Sequence, residues 1–263
     1  MPGKKQIKAL LLGDVYGNPG CRALFMGLPQ LIKTYKTDIV VVNGENAADN
    51  GFGLAYAQMR RFFDSGVDVI TSGNHIWQQE DLMSSLDKEP NLLRPANYPP
   101  SVSGHGYTIV NGIGVINLQG RYNMIPLDCP FRAAKSIVEK IKNKTTAILV
   151  DFHAESNQEK EALGFWLDGK VSAVVGTHTH VQTADAKILP GKTAYITDLG
   201  MCGPLDSVIG SQPSSSVRKQ LLQMPFKPVV KEGKAALRGV CITINSETGK
   251  ADKIEVINQE FGF

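Results

Sequence analysis

Ala173-Val174-Val175-Gly176-Thr177-His178-Thr179-His180 is a short apolar run that breaks directly into a small polar cluster. The same shape recurs along the chain. Ala9 to Leu12 leads into Gly13-Asp14, and Ile39 to Val42 into Asn43-Gly44-Glu45-Asn46. Val67 to Ile70 leads into Gly73-Asn74-His75, and Ala147 to Val150 into Asp151-Phe152-His153. Runs this short and this rich in Val, Ile and Leu are typical of strands covered on both faces. Helix-like segments separate the first three runs. One extends from about Cys21 to Tyr35, with Pro29 as a kink or break; the other extends from about Leu54 to Ser65. Strand, helix, strand is βαβ geometry, so these strands are expected to be parallel.

Other segments predict antiparallel hairpins. Tyr107–Val110 and Val115–Leu118 flank Asn111-Gly112, a strong turn signal. Ile188–Leu189 and Ala194–Thr197 flank Pro190-Gly191, and Leu237–Ile244 and Lys253–Ile257 flank Glu247-Thr248-Gly249. Further helices are expected near Phe131–Lys142 and Gln158–Trp166, and Gly200 to Ser216 reads as a long loop. No composition shift divides the chain, so a single domain over residues 1–263 is expected.

Composition sets outer limits. Hydrophobic residues make up 42% and charged residues 20%, which excludes a disordered or fibrous chain. A net charge of +3 suits an anionic substrate but falls short of a dedicated nucleic-acid binder. No apolar run reaches membrane-span length, and Ala9–Leu12 is too short for a signal core, so a cytoplasmic protein without membrane contact is expected. Cys21, Cys129, Cys202 and Cys241 form no C-x-x-C pair and read as buried thiols.

Ligands of α/β sheets bind beyond the carboxyl ends of the strands. The polar clusters occupy those ends, so Asp14, Glu45, Asn46, Asn74, His75, His153, His178 and His180 are expected to converge. Only His105 of the five histidines lies outside the set. Imidazole with carboxylate suits iron, manganese or zinc. Each residue alone has an ordinary reading: a helix cap for Asp14, a turn for Gly73-Asn74-His75, a special backbone conformation for Asn46 and Asn74, a solvated pair for His178 and His180. Five clusters at five strand ends exceed what capping requires.

Gly13-Asp14, Gly73-Asn74-His75 and Gly176-Thr177-His178-Thr179-His180 resemble the signatures of the calcineurin-like metallophosphoesterases. Gly13-Asp14-Val15-Tyr16-Gly17-Asn18-Pro19-Gly20, Asn43-Gly44-Glu45-Asn46-Ala47-Ala48, Asp151-Phe152-His153-Ala154-Glu155 and the run Thr177 to Asp185 are similar to the YmdB-type branch. The resemblance implies two mixed β-sheets packed as a sandwich, with helices on the outer faces. It implies two divalent or mixed-valence metal ions, iron or manganese before zinc. Asp14, Asn46 and His180 would bind one, Asn74, His153 and His178 the other, with Glu45 between them. Three departures from the general superfamily stand out. Tyr16 replaces the usual His of Asp-x-His, Glu45 replaces the bridging Asp, and Ile76 replaces the acid that orients His75. The first two are shared with the YmdB-type branch.

The expected reaction is phosphodiester hydrolysis by a metal-bridging hydroxide, with His75 as general acid. Two divalent ions, two carboxylates and one hydroxide leave a site charge of roughly +1, which favours a diester monoanion. Nucleotide-like diesters are the expected substrates, with 2',3'-cyclic nucleotides and RNA ends both implied by the resemblance. A phosphomonoesterase, a regulatory scaffold that binds metal or nucleotide with little turnover, and a dinuclear amidase remain alternatives. Asp151, Glu155 and Asp185 are either partners of the ligand histidines or solvated acids. Asp198 reads as a loop cap, and Arg121 as a surface arginine before a phosphate contact. Trp77, Tyr98 and Met201 are apolar candidates for a pocket or an interface between copies of a homo-oligomer.

Overall fold

The computed structural model describes residues 5–225 and 227–263. In chain order the strands are β1 (Gln6–Leu12), β2 (Asp14–Val15), β3 (Ile39–Asn43), β4 (Val69–Thr71), β5 (Tyr107–Val110), β6 (Ile113–Gln119), β7 (Ala147–His153), β8 (Ala173–Thr177), β9 (Lys187–Ile188), β10 (Ala194–Ile196), β11 (Met201–Pro204), β12 (Ala235–Asn245) and β13 (Ala251–Phe261). The helices are α1 (Gly17–Tyr35), α2 (Tyr56–Asp64), α3 (Glu80–Met83), α4 (Pro130–Ile141), α5 (Asn157–Leu167) and α6 (Pro213–Leu222).

The strands form two mixed sheets. One runs β2-β11-β12-β1-β3-β4, with β13 against β12; the other runs β5-β6-β7-β8-β10-β9. Strands β1, β3 and β4 are parallel, as are β6, β7, β8 and β10. The expected hairpins are antiparallel. Asn111 and Gly112 both take positive φ, as a type I′ turn requires.

Alternation along the strands builds the layers. Ala9 and Leu11 of β1 point between the sheets, where they meet Val115, Leu149 and Val175. Leu10 and Leu12 point outward onto Leu24 and Leu28 of α1 and Phe62 of α2. On the far sheet, Val150 and Phe152 face Val138 of α4 and Leu163 of α5. The order is helix, sheet, sheet, helix. Truncating the fully buried Leu11 to Ala would cost about 2–5 kcal/mol through lost burial and a cavity.

Several expectations need correction. Helix α1 passes through Pro29 without ending. Pro29 lies on the exposed side, while Leu24, Leu28 and Leu31 hold the opposite side in the core. The stretch Gly200–Ser216 is not a continuous loop. Strand β11 pairs with β2 and β12, and α6 begins at Pro213. Neighbouring strands impose this ladder on Met201-Cys202-Gly203-Pro204 against its weak propensity. Tyr98 and Met201 are buried and Trp77 packs against the core, so none forms an exposed apolar patch. All four cysteines are free; Cys21, Cys202 and Cys241 are buried, but Cys129, preceding α4, is only half-buried. No helix among the described residues is long and apolar enough to cross a membrane.

Candidate metal centre

The carboxyl ends of the parallel strands from both sheets open on one side of the sandwich. Asp14 begins β2, Glu45 and Asn46 follow β3, and Asn74 and His75 follow β4. His153 ends β7, and His178 and His180 follow β8. Gly73 permits this approach: a Cβ there would overlap the His153 imidazole and the Glu45 carboxylate.

Glu45 sits at the middle. Its Oε1 lies 3.0 Å from His153 Nε2, 3.2 Å from Asn46 Nδ2 and 3.4 Å from His75 Nδ1. His178 Nδ1 is 3.0 Å from His153 Nε2. His180 Nε2 is 3.2 Å from Asn46 Nδ2 and 3.9 Å from Asp14 Oδ1. Glu45, His153 and His178 offer three ligand atoms within 4.8 Å of one another.

His153, His178 and His180 each have one nitrogen tied outside and the other turned inward. His153 Nδ1 meets Thr177 Oγ1 at 3.0 Å, and that hydroxyl donates onward to Asp151 at 2.8 Å. The hydroxyl therefore accepts from His153 Nδ1–H, leaving the Nε2 lone pair for the cluster. His178 Nε2 lies 3.2 Å from Glu155, so Nδ1 faces inward. His180 Nδ1 donates to the Ile209 carbonyl at 3.0 Å, so Nε2 faces Asp14 and Asn46. Outer partners of this kind fix tautomer and ring orientation in metal-binding imidazoles.

Two buried oxygens support the fit to a cation. Asp14 Oδ1 and Asn74 Oδ1 are out of contact with solvent and have no hydrogen-bond partner. Buried oxygens without partners are rare, and a cation bound at each would account for them. The donor set of carboxylate, imidazole and amide suits a divalent transition ion.

The protonation pattern is that of a crowded anionic pocket. Burial raises the Asp14 carboxyl, against the pull of His180 and His153. Burial also acts to raise Glu45, but the charge and hydrogen bond of His153, joined by His75, hold it well below the usual carboxylate range. Burial acts to lower His153, yet Glu45, Asp14 and Asp151 raise it instead. Burial and the adjacent His153 push His178 down to about 3. Metal ligation needs the neutral imidazole, so a cation held here would take the place of the His153 proton.

The backbone carries strain at the same place. His178 has φ 98° and His180 has φ 66°. Such conformations cost about 1–3 kcal/mol each away from glycine and cluster at functional sites.

The surrounding residues divide. Asp151 is 3% exposed, against its reading as a solvated acid, and accepts from Thr71, Thr177 and Asn43. Glu155 is half-exposed and reaches His178. Asp185 accepts from Thr183 and Thr197, away from the histidine cluster. Asp198 accepts from the Gly200 amide, as a cap does, but it also pairs with buried Lys160. Arg121 is an exposed residue against Glu159, and His105 stands apart beside Asp87. Asn43 and Thr177 stand inside polar clusters legible in the sequence, but nothing there shows what they bind, and Thr71 and Lys160 carry no local mark at all.

A cavity of about 420 Å³ lies over the cluster. Tyr16, Phe52 and His75 form one side, and Ser215 and Lys219 of α6 with Lys227 form another. The rings of Phe52 and His75 meet edge-on at 5.0 Å.

The chain is 45% identical over 263 residues to the 2',3'-cyclic-nucleotide 2'-phosphodiesterase of Bacillus subtilis, covering 98% of this chain and 99% of that one. A crystal structure described as a novel phosphatase from Mycoplasma pneumoniae superposes with a TM-score of 0.91 at 36% identity, covering 98% and 94%. A crystal structure of a hypothetical protein from Thermus thermophilus superposes with a TM-score of 0.87 at 38% identity, covering 97% and 99%. The family described as YmdB-like protein matches residues 10–257. The architecture is the metallophosphoesterase sandwich, and the chain belongs to the YmdB-like family.

Proposed function

We propose that the protein is a dinuclear metal-dependent phosphodiesterase that hydrolyses 2',3'-cyclic nucleotides. The observation that carries this reading is the set of three imidazoles, each tied outward and presenting its other nitrogen to one pocket beside Glu45. Asp14, Asn46 and His180 would hold one ion and Asn74, His153 and His178 the other, with Glu45 shared. Asn46 would turn its amide through half a turn. Its oxygen would then face His180 and Glu45, and its NH2 group would face His75 Nδ1. Bound divalent ions supply a nucleophile near neutral pH and stabilise charge on phosphoryl oxygens.

The protein's own groups do the rest. His75 lines the cavity, and its Nδ1 would accept from the turned Asn46 amide, which leaves its proton on Nε2 to be given to the leaving oxygen. Lys219 and Lys227 give the opposite wall a positive character suited to nucleotides or RNA ends. Iron or manganese fits the donor set best, with zinc possible on ligand type alone. Four free thiols fit a reducing compartment, which favours the cytoplasm. Strands from both ends of the sequence share one sheet, which supports a single domain.

Metal analysis paired with hydrolysis of bis-nitrophenyl phosphate and a 2',3'-cyclic nucleotide tests the reading. Near two ions per chain, with turnover lost in Asn74→Ala and His178→Ala, is expected. Metal-loaded protein that turns over no phosphoester would replace the enzyme with a nucleotide-binding scaffold.

A further inference from the structure

Helix α5 carries Lys160, whose side chain is 1% exposed, and its Nζ lies 2.6 Å from Asp198 Oδ2. Asp198 follows β10 and is fully buried. The same Oδ2 accepts two hydrogen bonds from Thr179, from its amide at 3.2 Å and its hydroxyl at 2.8 Å. Oδ1 accepts from the Gly200 amide at 2.8 Å, and Thr183 Oγ1 donates to Asp185 Oδ1 at 2.6 Å while accepting from the Asp198 amide at 2.9 Å. Thr179 is the single residue between His178 and His180, both of which hold positive φ.

We infer that the buried Lys160–Asp198 pair positions the His178-Thr179-His180 turn, and through it one imidazole of each proposed ion site. The inference rests on the dinuclear reading for its metal consequence, but not for its mechanical one. His178 and His180 have bonds of their own, from the His178 amide to Asp14 and from His180 Nδ1 to the Ile209 carbonyl, and Thr179 between them is held by Asp198. Asp198 supplies the anchor, and Lys160 supplies the charge that makes a buried carboxylate tolerable there. A buried ion pair is a poor device for stability alone, since an apolar pair of like volume often serves as well. Its worth here lies in holding one geometry of the turn. Lys160 touches no ligand atom and is a positioning residue.

The test uses the full-length protein as wild type, Thr179→Val and Lys160→Met. Thr179→Val keeps the ion pair and removes only the hydroxyl bond, so it carries the test should Lys160→Met fail to fold. Hydrogen exchange is read at residues 177–181 in metal-free protein, and Mn²⁺ affinity by chelator competition well below the melting temperature. Faster exchange confined to the turn is expected in both variants, with Mn²⁺ affinity weakened about 10–100-fold. Unchanged exchange at the turn overturns the inference, whatever the melting temperature does. Faster exchange with wild-type Mn²⁺ affinity also overturns it, because the turn would then not set the ion sites. If wild type binds no Mn²⁺, the dinuclear reading fails, and exchange alone decides the positioning role.

Discussion

Nδ1 of His75 lies 2.9 Å from Oδ1 of Asn46, so a residue from the loop after β3 holds an imidazole that follows β4. Ile76 occupies the position where related enzymes place an orienting acid, and it is buried in the core. The orienting group comes instead from a side chain proposed to bind metal. Orientation of the candidate acid is thereby linked to the state of the metal centre.

His75→Ala is expected to lower kcat on a 2',3'-cyclic nucleotide by about 10²–10⁴-fold while metal content stays unchanged. The loss on bis-nitrophenyl phosphate should be smaller, because nitrophenolate leaves without help from an acid. Equal losses on both substrates would assign His75 to binding or orientation.

Thr177→Val removes the hydroxyl that receives His153 Nδ1–H and passes its own proton to Asp151. The imidazole is then free to turn or change tautomer. Metal affinity should fall by about 10–100-fold, measured by chelator competition. Thr177→Ser, which keeps the hydroxyl, should restore most of it.

Gly73→Ala places a methyl group against His153 and Glu45. Overpacking of this kind costs about 1–3 kcal/mol. The ligand cluster should suffer more than the fold, so metal loading and turnover should be lost while far-UV circular dichroism stays native. A variant that loads metal normally would show that the two strand ends separate easily.

Removal of metal should lower Tm as well as activity. Asp14 Oδ1 and Asn74 Oδ1 are buried without partners in the protein itself, so cations bound there would stabilise the folded state selectively. At a free ion concentration one hundred times Kd, a single site contributes about 2.7 kcal/mol. Calorimetry before and after chelation checks this, and a Tm indifferent to chelator would argue against ligation by these oxygens.

Asp185 sets part of the acid limit of stability. Burial acts to raise its carboxyl, but hydrogen bonds from Thr183 and Thr197 outweigh burial and lower it below the ordinary value of 3.8. A folded value below the unfolded one means stability that is present above about pH 3.8 and lost as pH falls through the folded value. Asp185→Asn should therefore flatten the acid side of a Tm–pH profile. A profile with unchanged acid slope would place the sensitivity in other carboxylates.

Much of the site was legible in sequence because its chemistry and its backbone signal coincide. Asp14, Glu45, Asn46, Asn74, His75, His153, His178 and His180 each sit where an apolar run stops, and a parallel strand must stop at the sheet edge where ligands bind. The partners that aim those side chains are not shown by such a mark. Thr177 and Asp151 stand in the same polar stretches, where nothing tells a partner from a solvated group, Asp198 reads as a loop cap, and Lys160 has the local pattern of a surface helix lysine although it is buried. Strand β11 likewise takes its form from β2 and β12 rather than from its own composition.

The sequence by itself determined the strand order along the chain, the two apolar faces of each core strand, and the donor types gathered at the strand ends. These depend on periodicity and on side-chain chemistry, which are local. Only the tertiary structure decided which nitrogen of each histidine faces inward, which residue orients His75, and what holds the His178-Thr179-His180 turn. Those depend on distances between residues far apart in the chain, such as Asn46 and His180 at 134 positions, and only the packing of one sheet on the other sets such distances.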